Sequence, residues 1–367
     1  MRAATSLGLA ATAGGLLTGC SDGNADVPGK QPPSYYPTAY DKIIEASRRE
    51  RKLLIYSQTS QTIWQAIFDA FSARYPWVGD VRATNFSSSA VYERYYSEAA
   101  AGTSPADLLV SSTPGNWADY AKRNIAAHYT SAEKEKLAAP GEILPGVWAF
   151  SLDPVVVLYN RKTVRESEYP TGIQSLADIA EARPSRFRGK IGTTNPSNSY
   201  GFGVNYTYTD GVRDGWRTFN RVLPFAHIEH SSGTLVEKVA SGEYDYAINI
   251  SGATARSLAN GSGGLLAWSY YDEGTVTVPR AASIVKTAPH PATARLFLDF
   301  LLSEDGQLAA GEGGLTPYRP GIRGDGYDTF QDIQRKLGDD QVHLCSYQYV
   351  SEQAQAAYVQ RWEKAQH

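Results

Sequence analysis

Three observations predict an α/β protein built as two lobes around a central cleft. Short β-prone apolar runs alternate with segments whose apolar residues recur at three- and four-residue spacing, the pattern of parallel sheets covered by helices. Beyond an N-terminal leader and tether, about 325 residues remain, more than one hydrophobic core usually serves. A strongly β-prone stretch, Val155 to Tyr159, leads out of the first half, and extended segments from Thr275 to Val285 lead back, so two crossings join the lobes.

The elements follow in order. A helix over Tyr40 to Arg51 leads into a strand at Lys52 to Tyr56. Ser60 to Arg74 reads as a helix, with Ile63, Trp64, Ile67, Phe68 and Phe71 on one face. A strand near Val81 to Thr84, a helix over Ala90 to Ala101 and a strand at Ala106 to Val110 complete a βαβαβ run. The second lobe opens with a strand around Gly189 to Gly192 and continues with helices near Tyr200 to Tyr208 and Gly211 to Leu223. It ends with a strand at His227 to His230, a helix at Thr234 to Ala240 and a strand at Tyr244 to Ile250. After the return crossing, Pro291 to Leu302 is expected to be an amphipathic helix with Ala294, Phe297, Leu298 and Leu301 inward. The expected division is 40–154 with 280–325 for the first lobe, 155–279 for the second, and a C-terminal helical extension over 326–367 with a helix near Glu352 to Lys364.

The N-terminus carries its own signal. Leu7 to Leu17 is apolar but far short of the ~20 residues a membrane span needs, which fits an export leader over 1–20. Leu17, Thr18, Gly19 and Cys20 resemble a bacterial lipoprotein processing site, which implies cleavage before Cys20 and a lipid on its thiol. Residues 21–39 hold Pro28, Pro32, Pro33 and Pro37 with almost no aliphatic side chains, and are expected to be a flexible tether. The mature chain is therefore expected to work outside the cytoplasm, in the periplasm or at the cell surface, held at a membrane by lipid alone.

A formal net charge of −3, with no basic stripe, argues against a nucleic-acid partner. With Cys20 taken by lipid, Cys345 has no internal disulfide partner and is expected to be core packing. Neither a Walker loop, a dinucleotide fingerprint nor a nucleophile elbow occurs in a fitting context, so no cofactor and no catalysis are expected. His227 and His230 alternate around Ile228 in an extended segment and do not converge as metal ligands.

In open α/β sheets, ligands sit beyond the carboxyl ends of strands. The loops there are Ser57, Gln58, Thr59 and Ser60; Asn85 and Phe86 with Ser87, Ser88 and Ser89; Ser111, Ser112 and Thr113; Asn195 to Tyr200; Ser231 and Ser232 with Gly233; and Ser251 with Gly252. Hydroxyls and amides dominate and carboxylates are missing, which suits an anion held by helix N-termini. Any single loop is equally a helix cap, but six at equivalent positions point to a binding surface, with His230 beside it.

Several strings in order resemble the extracytoplasmic solute-binding proteins of ATP-binding-cassette importers, in the cluster of ferric-ion, phosphonate and sugar-phosphate binders. They are Leu53 to Tyr56, Ser104 to Leu109, Leu158 to Asn160, Phe187 to Ile191 with Asn195 and Pro196, Ser241 to Glu243 with Ala247 to Asn249, Lys286 to Pro291, and Phe297 to Ser303 with Gly306 and Gln307. The resemblance implies a type II periplasmic-binding-protein fold with two hinge crossings, a monomer that captures a solute by lobe closure, and a membrane permease as partner. Ferric members bind iron through a histidine, a glutamate and paired tyrosines; the matching places here hold Ser60, Ser112 and Ser251 with Gly252, so no metal site is expected. What the resemblance leaves is an anion-binding feature at Ser197, Asn198 and Ser199, and an anionic organic solute, phosphate- or phosphonate-bearing. A chelated-metal, ferric or sugar binder of the same fold stays open, as does an exported enzyme or sensor adaptor.

Overall fold

A computed structural model describes residues 31–87 and 89–366. The leader, Cys20, most of the expected tether and Ser88 lie outside the described residues. In the first lobe α1 (Tyr40–Glu50), β1 (Lys52–Ser57), α2 (Gln61–Arg74), β2 (Asp80–Asn85), α3 (Ala90–Ala100), β3 (Leu108–Ser111), α4 (Pro114–Lys122) and β4 (Glu142–Leu144) lead to the long crossing strand β5 (Val147–Asn160). The second lobe contains α5 (Ile173–Ala182), α6 (Pro184–Phe187), β6 (Ile191–Thr194), α7 (Ser199–Gly211), α8 (Gly215–Val222), β7 (Ala226–Glu229), α9 (Ser232–Ser241), β8 (Tyr246–Ser251), α10 (Gly252–Gly261) and β9 (Leu266–Ser269). The chain returns through β10 (Thr275–Ile284) and continues with α11 (Pro291–Leu302), α12 (Glu304–Glu312), α13 (Phe330–Leu337), β11 (Val342–Leu344) and α14 (Glu352–Gln366).

One mixed sheet runs through both lobes in the order β2-β1-β3-β10-β5-β8-β6-β7. The β1, β2 and β3 strands are parallel to one another, as are β6, β7 and β8. The two crossings, β5 and β10, are antiparallel partners between the two parallel sets. All fourteen residues of β5 are buried, nearly three times the run expected from Val155 to Tyr159, because its first half pairs β10 and its second half pairs β8 and β9. Pro154 marks the handover, and a Cβ on Gly252 would come within 2.9 Å of its ring, so α10 starts hard against the hinge.

Each lobe has an apolar core on both faces of its part of the sheet. In the first, Trp64, Phe68, Phe71, Phe297 and Phe300 of α2 and α11 pack on one face, and Tyr92, Trp117 and Tyr120 of α3 and α4 on the other. In the second, Ile173, Val204, Tyr208 and Phe219 cover one face and Leu235, Val236 and Val239 the other. The helix expected to be amphipathic, α11, is buried nearly all round, because α1, α2 and α12 enclose it. Its Asp299 is carried inside as the acceptor for Tyr129, Ser131 and the Ala132 amide.

Two termini depart from expectation. Tyr36, in the segment expected to be tether, is buried against Tyr40 with ring centroids 4.5 Å apart and donates to Glu133 at 2.6 Å, so the chain is docked from there onward. Residues 326–367 are not a helical appendage: β11 adds a parallel strand to β10, Cys345 packs in the second lobe, Tyr347 in the first, and α14 returns to the second through Tyr358 and Trp362. The C-terminal segment thus passes the hinge again after β10. Cys345 is buried and free, and burial pushes its thiol up to about 12. No helix among the described residues is long and apolar enough to cross a membrane.

Candidate functional site

A cleft of about 640 Å³ lies where the carboxyl ends of both parallel strand sets meet. The first lobe contributes Gln58, Thr59 and Ser60 after β1, Asn85, Phe86 and Ser87 after β2, Ser112 after β3, and Thr62 and Ile63 from α2. From the second come Thr194 and Asn198 around the end of β6, Tyr200 of α7, His230 to Gly233 after β7, and Ser251, Thr254, Ser257 and Leu258 at β8 and α10. Arg280 of the return crossing forms part of the wall.

Eleven expected site residues line this cleft: Gln58, Thr59, Ser60, Ser87, Ser112, Asn198, Tyr200, His230, Ser231, Ser232 and Ser251. Others serve the scaffold behind it. The Ser57 hydroxyl accepts from Thr59 N at 2.9 Å and Trp64 Nε1 at 3.0 Å. Ser111 donates to Gln58 Oε1 at 2.7 Å and pairs with Thr113 at 2.6 Å, which aims the Gln58 side chain. Ser199 accepts from Asn116 N of the first lobe at 3.3 Å, a contact between lobes near the hinge. Asn195 holds the Ser197 amide at 2.8 Å and lies 3.3 Å from His230 Nδ1, so the pair orients the imidazole. Gly252 packs on Pro154, and Ser89 precedes α3 as an exposed residue. None of Ser57, Ser89, Ser111, Thr113, Asn195, Ser197, Ser199 and Gly252 is part of the cleft wall.

Helix capping separates the loops into two kinds. Asn198 caps α7 by accepting from Gly201 N at 2.6 Å, and Ser231 caps α9 by accepting from Thr234 N at 3.1 Å. Ser60 before α2 and Ser251 before α10 make no side-chain cap, so the first-turn amides of these two helices have no side-chain acceptor at the cleft. Open N-terminal amides with the positive end of a helix dipole are an anion seat, each end adding about 0.3–1 kcal/mol.

Sequence reasoning did not reach Arg280. Its guanidinium donates from Nε to Asp153 Oδ2 at 3.0 Å and from Nη1 to Thr59 Oγ1 at 3.0 Å, with Nη2 2.9 Å from the same carboxylate oxygen. The other Asp153 oxygen accepts from Ser151 and from Thr316 N, so this carboxylate is turned wholly inward. A usable signal existed: an arginine inside an apolar crossing strand needs a buried acid, and Asp153 is the acid at the other crossing. Thr194, Thr254, Ser257 and Leu258 were also not singled out, the last three lying on α10, which follows Ser251 directly.

Thr194, Tyr200 and Ser251 line the cleft, and their hydroxyls are buried without a hydrogen-bond partner among the described residues. Burial raises the Tyr200 phenol, which stays a neutral donor. Ferric iron does not fit this donor set, which among the described residues has no carboxylate and only the buried, neutral phenol of Tyr200. Among the described residues no group of three or more His, Cys, Asp or Glu is placed to hold a metal.

Residues 53–316 match the family model described as bacterial extracellular solute-binding protein. The chain belongs to that family. Among solved structures it is similar to the substrate-binding protein of an ABC transporter from Agrobacterium tumefaciens, at 19% identity and TM-score 0.76, over 86% of this chain and 95% of that one. It is also similar to iron-bound HitA from Pseudomonas aeruginosa, at 19% identity and TM-score 0.64 over 86% and 99%. A third is the periplasmic binding protein AfuA from Actinobacillus pleuropneumoniae with fructose-6-phosphate bound, at 18% identity and TM-score 0.65 over 86% and 98%. At these identities the solved structures speak to fold, which is the two-lobed fold of periplasmic binding proteins. No curated protein sequence matches significantly. For this solute-binding protein, the two-lobed cleft is accordingly the place to look for the solute.

Proposed function

We propose that this protein captures a small anionic organic solute, phosphate- or phosphonate-bearing, by closure of its lobes and delivers it to the permease of an ATP-binding-cassette importer. The observation that carries this reading is the cleft wall itself: uncapped N-termini of α2 and α10, the Arg280 guanidinium, and hydroxyls and amides, with the Asp153 carboxylate turned away. Two of the similar structures, an ABC-transporter substrate-binding protein and a periplasmic binding protein with fructose-6-phosphate bound, agree in type. Lobe closure suits β5 and β10, whose halves belong to different lobes. His230 is paired with Asn195 and, among the described residues, with no serine of the cleft, which favours binding over turnover.

Thermal unfolding with a panel of solutes tests this. An anion at a hundred times its Kd is expected to stabilise by about 2.7 kcal/mol. A shift produced only by a ferric chelate or by a neutral sugar would overturn it. The resemblance at Cys20 extends the proposal to a monomer tethered by lipid outside the cytoplasm; Cys20→Ser is expected to move the protein from the membrane fraction to the soluble one.

A further inference from the structure

We infer that the solute joins a tetrahedral oxyanion to an uncharged apolar substituent and carries no ammonium group; this rests on the anion-binding reading above and narrows it. Three features of the cleft lead there.

The first is a cluster of unused donors. Arg280 is 5% exposed yet reaches the cleft, and its bonds to Asp153 and Thr59 leave one N–H on each terminal nitrogen without a partner among the described residues. Thr194, Tyr200 and Ser251, lining residues that are 2%, 8% and 9% exposed, each bury a hydroxyl without a partner among the described residues, and Ser251 directly precedes the uncapped start of α10. Buried donors left unpaired are costly, and a group with three acceptor oxygens in a pyramid uses more of them than a planar carboxylate with two. Phosphonates and sulfonates share that shape.

The second feature is the charge of the wall. Among the described residues no Asp or Glu lines the cleft, and both oxygens of Asp153 are engaged by Arg280, Ser151 and Thr316. An ammonium group drawn into the closing cleft would lose water and find no counter-charge.

The third is an apolar wall among the hydroxyls. Ile63 and Phe86 of the first lobe and Leu258 of the second line the same space, and Leu258 is 41% exposed. Phe86 is itself held in place by an edge contact with Tyr56 at 5.1 Å. A large aliphatic side chain left in water on a ligand-facing helix gains most if the solute presents apolar surface to it.

Calorimetry on the full chain with n-butylphosphonate, n-butanesulfonate, aminoethylphosphonate, inorganic phosphate and a hexose phosphate tests the inference. One of the butyl compounds is expected to bind about tenfold or more tighter than the three others, and which one does so separates phosphonate from sulfonate. Leu258→Asp, at an exposed position that folding does not depend on, is expected to reverse the order of the alkyl and aminoalkyl compounds. Aminoethylphosphonate, hexose phosphate or inorganic phosphate binding as tightly as the butyl compounds, or an unchanged order in L258D, would overturn the inference and leave the anion-binding reading standing. If none of these anions binds, both fail.

Discussion

Arg280 and Asp153 meet across the two strands that join the lobes, with Nε and Nη2 of the guanidinium 3.0 and 2.9 Å from one carboxylate oxygen. Both side chains are almost wholly buried. The arrangement fixes a cation at the cleft floor from the hinge itself, so its position depends little on how far the lobes have closed. Because Asp153 also accepts from Ser151 and Thr316 N, the acid is committed to the scaffold while the guanidinium keeps an edge toward solvent.

Removing the acid while keeping its shape leaves that cation uncompensated. Asp153→Asn is expected to cost about 3 kcal/mol of stability, in the range for breaking a buried pair, and to tighten anion binding at the same time. Urea unfolding with and without saturating anion checks both: the deficit relative to the natural protein should shrink when the anion is present. A deficit that stays constant would mean that Arg280 does not face the solute.

The C-terminal passage is predicted to be structural. Trp362 of α14 is fully buried in the second lobe and donates from Nε1 to Asn205 Oδ1 at 3.3 Å. That same oxygen accepts from Asn249 Nδ2 at 2.9 Å, and Asn249 holds a left-handed backbone, φ 63°, within β8. Trp362→Ala is expected to cost about 3–5 kcal/mol through the cavity it leaves. Thermal unfolding with aromatic near-ultraviolet dichroism as readout checks it, with the second lobe losing its signal first.

Much of this fold was legible because its helices and strands obey their own periodicities. The α1, α2 and α11 boundaries fall within a residue of the pattern at Tyr40, Ser60 and Pro291. What stayed hidden was set by tertiary contact. The first half of β5 contains Ser151, Asp153 and Pro154, poor strand residues that only pairing with β10 holds extended. In the cleft, loop composition located the wall but could not say which hydroxyls turn into it. Ser111 and Ser112 are neighbours on one strand end, yet only Ser112 faces the cleft, because Ser111 is spent on Gln58 and Thr113.

Glu273 gives a pH signature independent of ligand. Burial is the main cause that raises its carboxyl from 4.5 to about 7, opposed by the Gln174 amide at 2.9 Å, while its neighbour Asp272 adds to the rise and the Tyr208 hydroxyl donates to it at 2.8 Å. A carboxyl whose folded value lies above its unfolded one favours the folded state while protonated. Its contribution is therefore full below pH 4.5 and is lost as pH climbs through 7. Glu273→Gln is expected to flatten the stability profile over this window and to raise stability at pH 8 relative to the natural protein by about 1–3 kcal/mol. Melting temperatures measured across that range are the check, and a parallel profile in the variant would refute the assignment.

Tyr200 separates a binding hydroxyl from a structural one by the sign of two effects. The residue packs in the second lobe's core and lines the cleft, and its hydroxyl is buried without a partner among the described residues. A hydroxyl that serves the fold would cost stability when removed and leave affinity alone. A hydroxyl kept for the solute is a burden to the empty protein, since burying an unpaired polar group costs about 1–3 kcal/mol. Tyr200→Phe is therefore expected to hold or raise the melting temperature of the empty protein. Affinity for the anion should fall about tenfold, near the ~1.4 kcal/mol of one lost hydrogen bond. Thr194→Val should behave in the same way, because its hydroxyl is equally buried and equally without a partner at the end of β6. If either variant melts lower and binds unchanged, that hydroxyl belongs to the scaffold, and the solute is gripped by Arg280 and the open helix ends without it.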